Sequence, residues 1–344
     1  LDGVRGVAIA LVLLFHFSIL GIGWVGVDVF FVLSGYLITR ILRKQREQDD
    51  YWKVFYIKRA KRIAPPLLVL IIASVFLIGA NWGTLGYLFF IGNIVNFTHY
   101  NRKILEPLWS LAIEEHYYLL WPIAVRGAGR PRLLTILACA FVAEPLLRLA
   151  VTHRIPEHAV YALTPFHLDG IIAGSALALI AEGGRKLEWL KQHSGKAAAF
   201  IALLYLLLKL AMPHVWTRQY DSFGFNGFGY TVIAAGVFCL VAYLITQDSW
   251  LAKLLSFAPL VFLGRISYGL YLYHQVVWWE VARKLYPNDL YPREEPRLLL
   301  PCLAISLLIA WVSYRFLEMP ISRLGGRRLQ PEAAETPGSS IAAD

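Results

Sequence analysis

The chain has 344 residues, 58% of them hydrophobic and only 16% charged, with a mean hydropathy of +0.54. Soluble domains carry about 25% charge, so this composition excludes an ordinary soluble protein and predicts an all-α, polytopic integral membrane protein. The formal net charge of +10 comes with no nucleic-acid-binding motif and no soluble basic domain, which excludes nucleic acid as a partner and leaves basic loops resting on the lipid bilayer.

Apolar runs long enough to cross a hydrocarbon core of roughly 30 Å recur along the chain. They predict ten spans, near 4–22, 25–42, 63–80, 108–125, 133–150, 165–182, 197–213, 229–246, 258–281 and 298–318. The apolar stretch 85–97 is short and holds Gly92, Asn93 and Asn96, so it reads as re-entrant or interfacial. With a cytoplasmic start, segments 40–62, 126–132, 183–196, 247–257 and 319–330 fall inside and hold 20 Lys plus Arg, against eight outside. That asymmetry matches the retention of basic loops in the cytoplasm and puts both termini there. Residues 1–324 are read as one transmembrane domain and 325–344, rich in Pro, Ala, Ser and Glu, as a disordered cytoplasmic tail. The chain opens without Met on an apolar run lacking a small-residue cleavage site, which reads as a fragment missing a few upstream residues rather than a signal peptide. Cys139, Cys239 and Cys302 all lie in apolar runs without ligand spacing, and no metal site is expected.

An ionisable group near the bilayer centre costs about 2.5 kcal/mol or more, so each one inside a span is a candidate functional residue. Arg5, His16, Asp28, Glu114, Glu115, His116, Glu144, Arg148, His167, Asp169, Lys209, Arg265 and His274 qualify. Glu144 and Arg148, four apart, read as a mutually satisfying pair, and Lys209 can snorkel to the interface. Arg5 and His16 are separated by about three helical turns, so they share one helix face with a rise of about 16 Å. One helix thus presents a permanent cation near its start and a titratable imidazole in the interior. Arg59 and Arg62, three apart, share a face of a helical turn expected to end near Pro65, a spacing that suits bidentate phosphate binding. Buried Asp, Glu and His residues also mark proton-coupled secondary transporters, the alternative reading, although no paired midplane Gly or Pro breaks are seen.

Five stretches in this order, "LDGVRGVAIALVLLFH", "GVDVFFVLSGYLI", "IKRAKRIAP", "LWSLAIEEHYYLLWP" and "ISYGLYLYH", resemble the acyltransferase 3 family of membrane O-acyltransferases. The resemblance covers about residues 1–320. It implies transfer of an acetyl or other short acyl group from an acyl-CoA co-substrate, with no tightly bound cofactor. The implied acceptor is a hydroxyl on a cell-surface glycan, a lipid-linked glycan, peptidoglycan or a secondary metabolite, and the implied setting is a bacterial inner membrane. The family's Arg and His pair, which the resemblance ties to catalytic activity, falls on Arg5 and His16, its Arg-x-x-Arg element on Arg59 and Arg62, the acidic residue of its "GVDVFF" block on Asp28, and its Glu–Pro element on Glu318 and Pro320. One departure is His167, which stands where relatives often carry Arg.

Acyl transfer from a thioester to an alcohol needs a base for the hydroxyl proton, donors for the developing oxyanion and cations for the CoA phosphates. His16 is the expected base, with Asp28 or Glu115 expected to orient it. Arg59 and Arg62 are the expected donor-binding cations. Ser34, Glu114, Tyr117, Ser267, His274 and Glu318 are the expected substrate-binding residues, and Ser110 and Tyr118 lie beside them in the sequence.

Overall fold

Helices account for all regular structure in the computed structural model, which describes residues 1–215, 224–286 and 298–324. The expected tail at 325–344 lies outside the described residues. The helices are α1 Asp2–His16, α2 Val25–Gln45, α3 Tyr51–Ile78, α4 Trp82–Leu88, α5 Gly92–Val95, α6 Trp109–Gly127, α7 Arg130–Val151 and α8 Glu157–Ala162. They continue with α9 Asp169–Ile180, α10 Arg185–Ala211, α11 Tyr230–Thr246, α12 Trp250–Leu254, α13 Ala258–Leu285, α14 Leu299–Ser313 and α15 Met319–Arg323. A π-helical turn, Phe225–Gly229, leads into α11, and a second, Tyr314–Glu318, joins α14 to α15.

Six helical stretches are long and apolar enough to cross a membrane: α2, α3, α7, α10, Phe225–Thr246 and Leu299–Arg323. The other four expected spans are also helical but differ in character. The α1 helix has 15 residues and α9 only 12. At 1.5 Å per residue α9 covers roughly 18 Å, well short of a bilayer core. Nearly all its residues are buried, so the segment expected to span at 165–182 is an interior helix preceded by a 3-10 turn, Thr164–Phe166. In α6 and α13, polar side chains dilute an otherwise apolar sequence. The stretch 85–97 divides between α4 and α5, with Phe90 at a positive φ of 59° between them.

The α3 helix differs from expectation at Pro65. It runs unbroken through Pro65 and Pro66 to Ile78. Proline removes a backbone donor and frees carbonyls one turn earlier. The freed carbonyls belong to Lys61 and Arg62, and α13 packs alongside, with Tyr268 donating to the Ile63 carbonyl at 3.0 Å and Tyr273 to the Pro66 carbonyl at 3.3 Å.

The largest hydrophobic core is built from α1, α2, α9, α11 and α13. Two seams in it depend on glycine. A Cβ on Gly174 of α9 would collide with the Val32 carbonyl of α2, and one on Gly35 of α2 with the Ile171 carbonyl of α9. Likewise Gly3 and Gly6 of α1 lie against the Leu255 and Leu260 carbonyls, and Gly264 of α13 against the Asp2 carbonyl. Small residues let backbones approach in this way where helices associate within lipid. Around the core, Phe76, Leu120, Phe200, Leu210 and Leu300 are exposed, an apolar outer face suited to acyl chains.

The bundle has two chemically distinct ends. Leu1, Arg40, Arg43, Lys44, Glu182 and Lys191 surround a cavity of about 940 Å³ at the basic end. His16, Asn96, Glu106, His158 and Gln275 lie at the opposite end. With Cys139, Cys239 and Cys302 replaced by Ala, cysteines at Asp49 and at His99 are expected to react with an impermeant thiol reagent from opposite sides of the membrane; labelling of both from one side would contradict this arrangement.

Candidate active site

Two cavities lie along α1. The first, of about 140 Å³, is lined by Arg5 of α1, Ser34 of α2, Arg59 and Arg62 of α3, Ser110, Glu114 and Tyr118 of α6, and Ser267, Tyr268 and Tyr271 of α13. Ser34 donates to Glu114 Oε1 at 2.6 Å. Arg59 donates through Nε and Nη2 to Glu115 Oε1 at 2.9 and 2.7 Å, while its guanidinium carbon lies 3.3 Å from the centroid of the Tyr118 ring. That cation is therefore both paired and stacked. Arg5 and Arg62, by contrast, have no carboxylate within 4.0 Å among the described residues. The two guanidinia left free to bind an anion are thus Arg5 and Arg62, rather than the Arg59 and Arg62 pair expected from spacing.

The second cavity, of about 270 Å³, is lined by His16, Trp24, Asn96, Glu106, Trp109, His158, Tyr161, Tyr271 and Gln275 among others. Here α1 and α13 bring two imidazoles together, with ring centroids 4.8 Å apart. His274 Nδ1 lies 2.7 Å from the Tyr271 carbonyl and 3.2 Å from the Leu270 carbonyl. A carbonyl only accepts, so this nitrogen carries the proton and His274 Nε2, in the neutral ring, is an acceptor. His16 Nδ1 lies 3.0 Å from the Val12 carbonyl and 3.2 Å from His274 Nε2, and by the same reasoning it donates to both. The remaining ring nitrogen, His16 Nε2, then holds a free lone pair. His16 is half-buried and His274 fully buried, so the second ring supports the first from behind.

Neither carboxylate expected to orient His16 reaches it. Asp28 Oδ1 accepts instead from His167 Nε2 at 2.9 Å, and His167 Nδ1 donates to the Tyr161 carbonyl at 2.6 Å. Glu115 is held by Arg59. The physical reason is helix phase: Asp28 faces α9, and Glu115 lies about 100° round α6 from Glu114, which takes the cavity position. The group on the inner nitrogen of His16 is His274, which the sequence suggested only as a substrate-binding residue. Ser34, Glu114 and Ser267 do line the first cavity. Tyr117 instead donates to Ser175 at 2.8 Å between α6 and α9, and Glu318 accepts from Ser313 at 3.2 Å in the second π-helical turn, so neither lines the two cavities. Tyr271, which lines both cavities, was missed; its signal is the spacing of Tyr268, Tyr271 and His274, three apart, on one face of α13.

The remaining buried charges belong to a separate cluster. Arg148, wholly buried, donates to Glu144 at 3.1 Å, Asp169 at 2.6 Å, the carbonyls of Phe166 and Gly227, and Thr231. It ties α7, α9 and the first π-helical turn together. The expected Glu144 and Arg148 pair is present, and Asp169 completes it.

Fold and site together define an integral membrane protein with two polar-lined cavities along one helix. The chain belongs to the acyltransferase 3 family: the family model, described as an acyltransferase domain, matches residues 1–315. It is 30% identical over 360 residues to the peptidoglycan O-acetyltransferase OatA of Listeria monocytogenes, covering 94% of this chain and 56% of that protein. It is 28% identical over 354 residues to the O-acetyltransferase OatA of Staphylococcus aureus, covering 94% of this chain and 57% of that protein. The chain therefore spans a little over half the length of these curated relatives. No solved structure matches it.

Removing the cation of the Arg148 cluster leaves two carboxylates buried without it. Arg148→Met is expected to destabilise the protein by about 3–5 kcal/mol, read as a lowered unfolding midpoint in detergent; an unchanged midpoint would contradict the cluster's structural role.

Proposed function

We propose that this chain transfers an acetyl or other short acyl group from an acyl-CoA to a hydroxyl of a carbohydrate-containing envelope acceptor, peptidoglycan being the acceptor that the Listeria relative's name gives. The observation that carries the proposal is the imidazole pair, which leaves Nε2 of the cavity-lining His16 unprotonated. In this reading His16 Nε2 takes the proton as the acceptor oxygen attacks the acyl carbonyl. The oxygen–carbon bond forms, the carbon–sulfur bond breaks, and the CoA thiolate leaves with the proton returned from the imidazolium. His274 Nε2 accepts from His16 Nδ1–H throughout, holding the ring orientation in the way a carboxylate does in other catalytic histidine sites. Arg5 and Arg62 hold the donor's phosphates, a task suited to guanidinia without internal partners.

The same reading sets the topology. Ten helical segments cross or enter the membrane, with the basic end and both termini in the cytoplasm of a bacterial inner membrane, where acyl-CoA is available. The acceptor then approaches His16 from the outer side. Helix α1 connects the two tasks, with Arg5 and His16 about 16 Å apart along its axis.

With purified full-length protein and acetyl-CoA, His16→Ala is expected to lower turnover by about 100-fold or more. Wild-type activity should rise with pH through one ionisation, because imidazolium cannot accept a proton, and that limb should be absent from the residual activity of His16→Ala. Normal turnover in folded His16→Ala would end the proposal. Arg5→Ala and Arg62→Ala are expected to raise KM for acetyl-CoA more than they lower kcat, since phosphate binding is the same in ground and transition states. An unchanged KM would remove these residues from donor binding.

A further inference from the structure

Tyr271 lies where the two cavities meet. It is in the wall of the Arg5 and Arg62 cavity and in that of the His16 cavity. Its hydroxyl is held on both sides: the Tyr271 hydroxyl donates to the Pro107 carbonyl at 2.7 Å, and the Ser110 hydroxyl, 2.6 Å away, donates to Tyr271. Its ring rests against Phe30, with centroids 6.5 Å apart. Pro107 lines the outer cavity, Ser110 the inner one, and Val27 as well as Tyr271 lines both, so the phenol and its two partners stand in the wall between the cavities.

We propose that Tyr271 is a positioning residue that closes the passage between the cation-lined cavity and the imidazole cavity, and that its phenol must leave Ser110 and Pro107 before anything passes between them. Resting on the acyl-transfer reading above, the inference extends it: the closure keeps outer-side water from the thioester until donor and acceptor are both in place. Opening does not dismantle the base. The closure is made by the Tyr271 side chain, whereas His274 is anchored by the Tyr271 backbone carbonyl, which stays in α13 when the phenol swings aside. Two neutral hydrogen bonds and a ring contact form a closure strong enough to stay shut over the donor alone and weak enough to be displaced once the acceptor is bound as well. A charged pair at this point, far from solvent, would not be.

Two measurements separate this inference from the function it rests on. First, Ser267, in the inner cavity, is replaced by Cys in a chain without its native cysteines, and a small impermeant thiol reagent is applied from the His16 side. Labelling is expected to be slow with Tyr271 and roughly tenfold faster in Tyr271→Phe, which keeps the ring and loses both hydrogen bonds. It should be faster still in Tyr271→Ala. Equal rates in the wild type and Tyr271→Phe would overturn the inference whether or not the protein transfers acyl groups. Second, acetyl-CoA consumption without acceptor is compared with acceptor acetylation. Hydrolysis moves the acetyl group to water, giving acetate and CoA thiol. Its ratio to transfer is expected to rise roughly tenfold in Tyr271→Phe, whereas a merely structural role would lower both activities in parallel. Faster labelling in a protein that never consumes acetyl-CoA would keep the passage and reject the acyl-transfer reading. If Tyr271→Ala fails to fold, Tyr271→Phe and Ser110→Ala carry the same test.

Discussion

The close approach of α1 to α13 is the constraint on which the rest of the site depends. Gly6 and Gly264 place each helix's backbone against a carbonyl at the start of the other, Gly3 lies against the Leu255 carbonyl just before α13, and no larger residue fits without separating them. Two histidines 258 residues apart in sequence thereby meet within 3.2 Å. A shift of the order of one methyl group would turn that hydrogen bond into a van der Waals contact and free His16 to rotate. The same seam sets Arg5 beside Ser267 and Tyr268, so helix packing built from small residues fixes both the cation site and the base.

Polar groups in the membrane interior fall into two kinds. Arg148 with Glu144 and Asp169, His167 with Asp28, and Arg59 with Glu115 are paired among themselves, and they serve mainly to hold helices in place. Among the described residues, Arg5, Arg62 and the outer nitrogen of His16 are not paired in this way. In a low-dielectric setting such groups are expensive to maintain, and a ligand is the natural partner for them. The departure at His167 falls in the first kind: its imidazole stacks on Trp109 and bonds Asp28, a contact that works inside the protein rather than toward a substrate.

Much of this was legible in the sequence because helical periodicity is strong over long apolar runs. The shared face of Arg5 and His16 follows from their spacing alone, and the shortness and the Gly and Asn content of 85–97 set it apart from the spans. Other features depend on which helices become neighbours, which periodicity does not encode. Asp28 and Glu115 are as plausible beside an imidazole as His274 until α13 is placed next to α1. Arg59 and Arg62 look equivalent until Glu115 takes one of them. Pro65 ends a helix in isolation, yet α3 runs on through it, packed against tyrosines of α13. The segment at 165–182 reads as a span because residues 170–181 are almost wholly apolar on every face, a pattern that a short interior helix shares with a transmembrane one.

The tautomer of His16 is the point at which packing becomes chemistry. Nitrogen NMR of histidine-labelled protein in lipid bilayers at neutral pH, with His16→Gln used to assign the signal, reads it directly. The structure predicts a neutral His16 with its proton on Nδ1 and a bare Nε2, beside a His274 that also carries its proton on Nδ1. A His16 protonated on both nitrogens, or on Nε2 alone, would contradict the role of His274 as acceptor and of His16 as base.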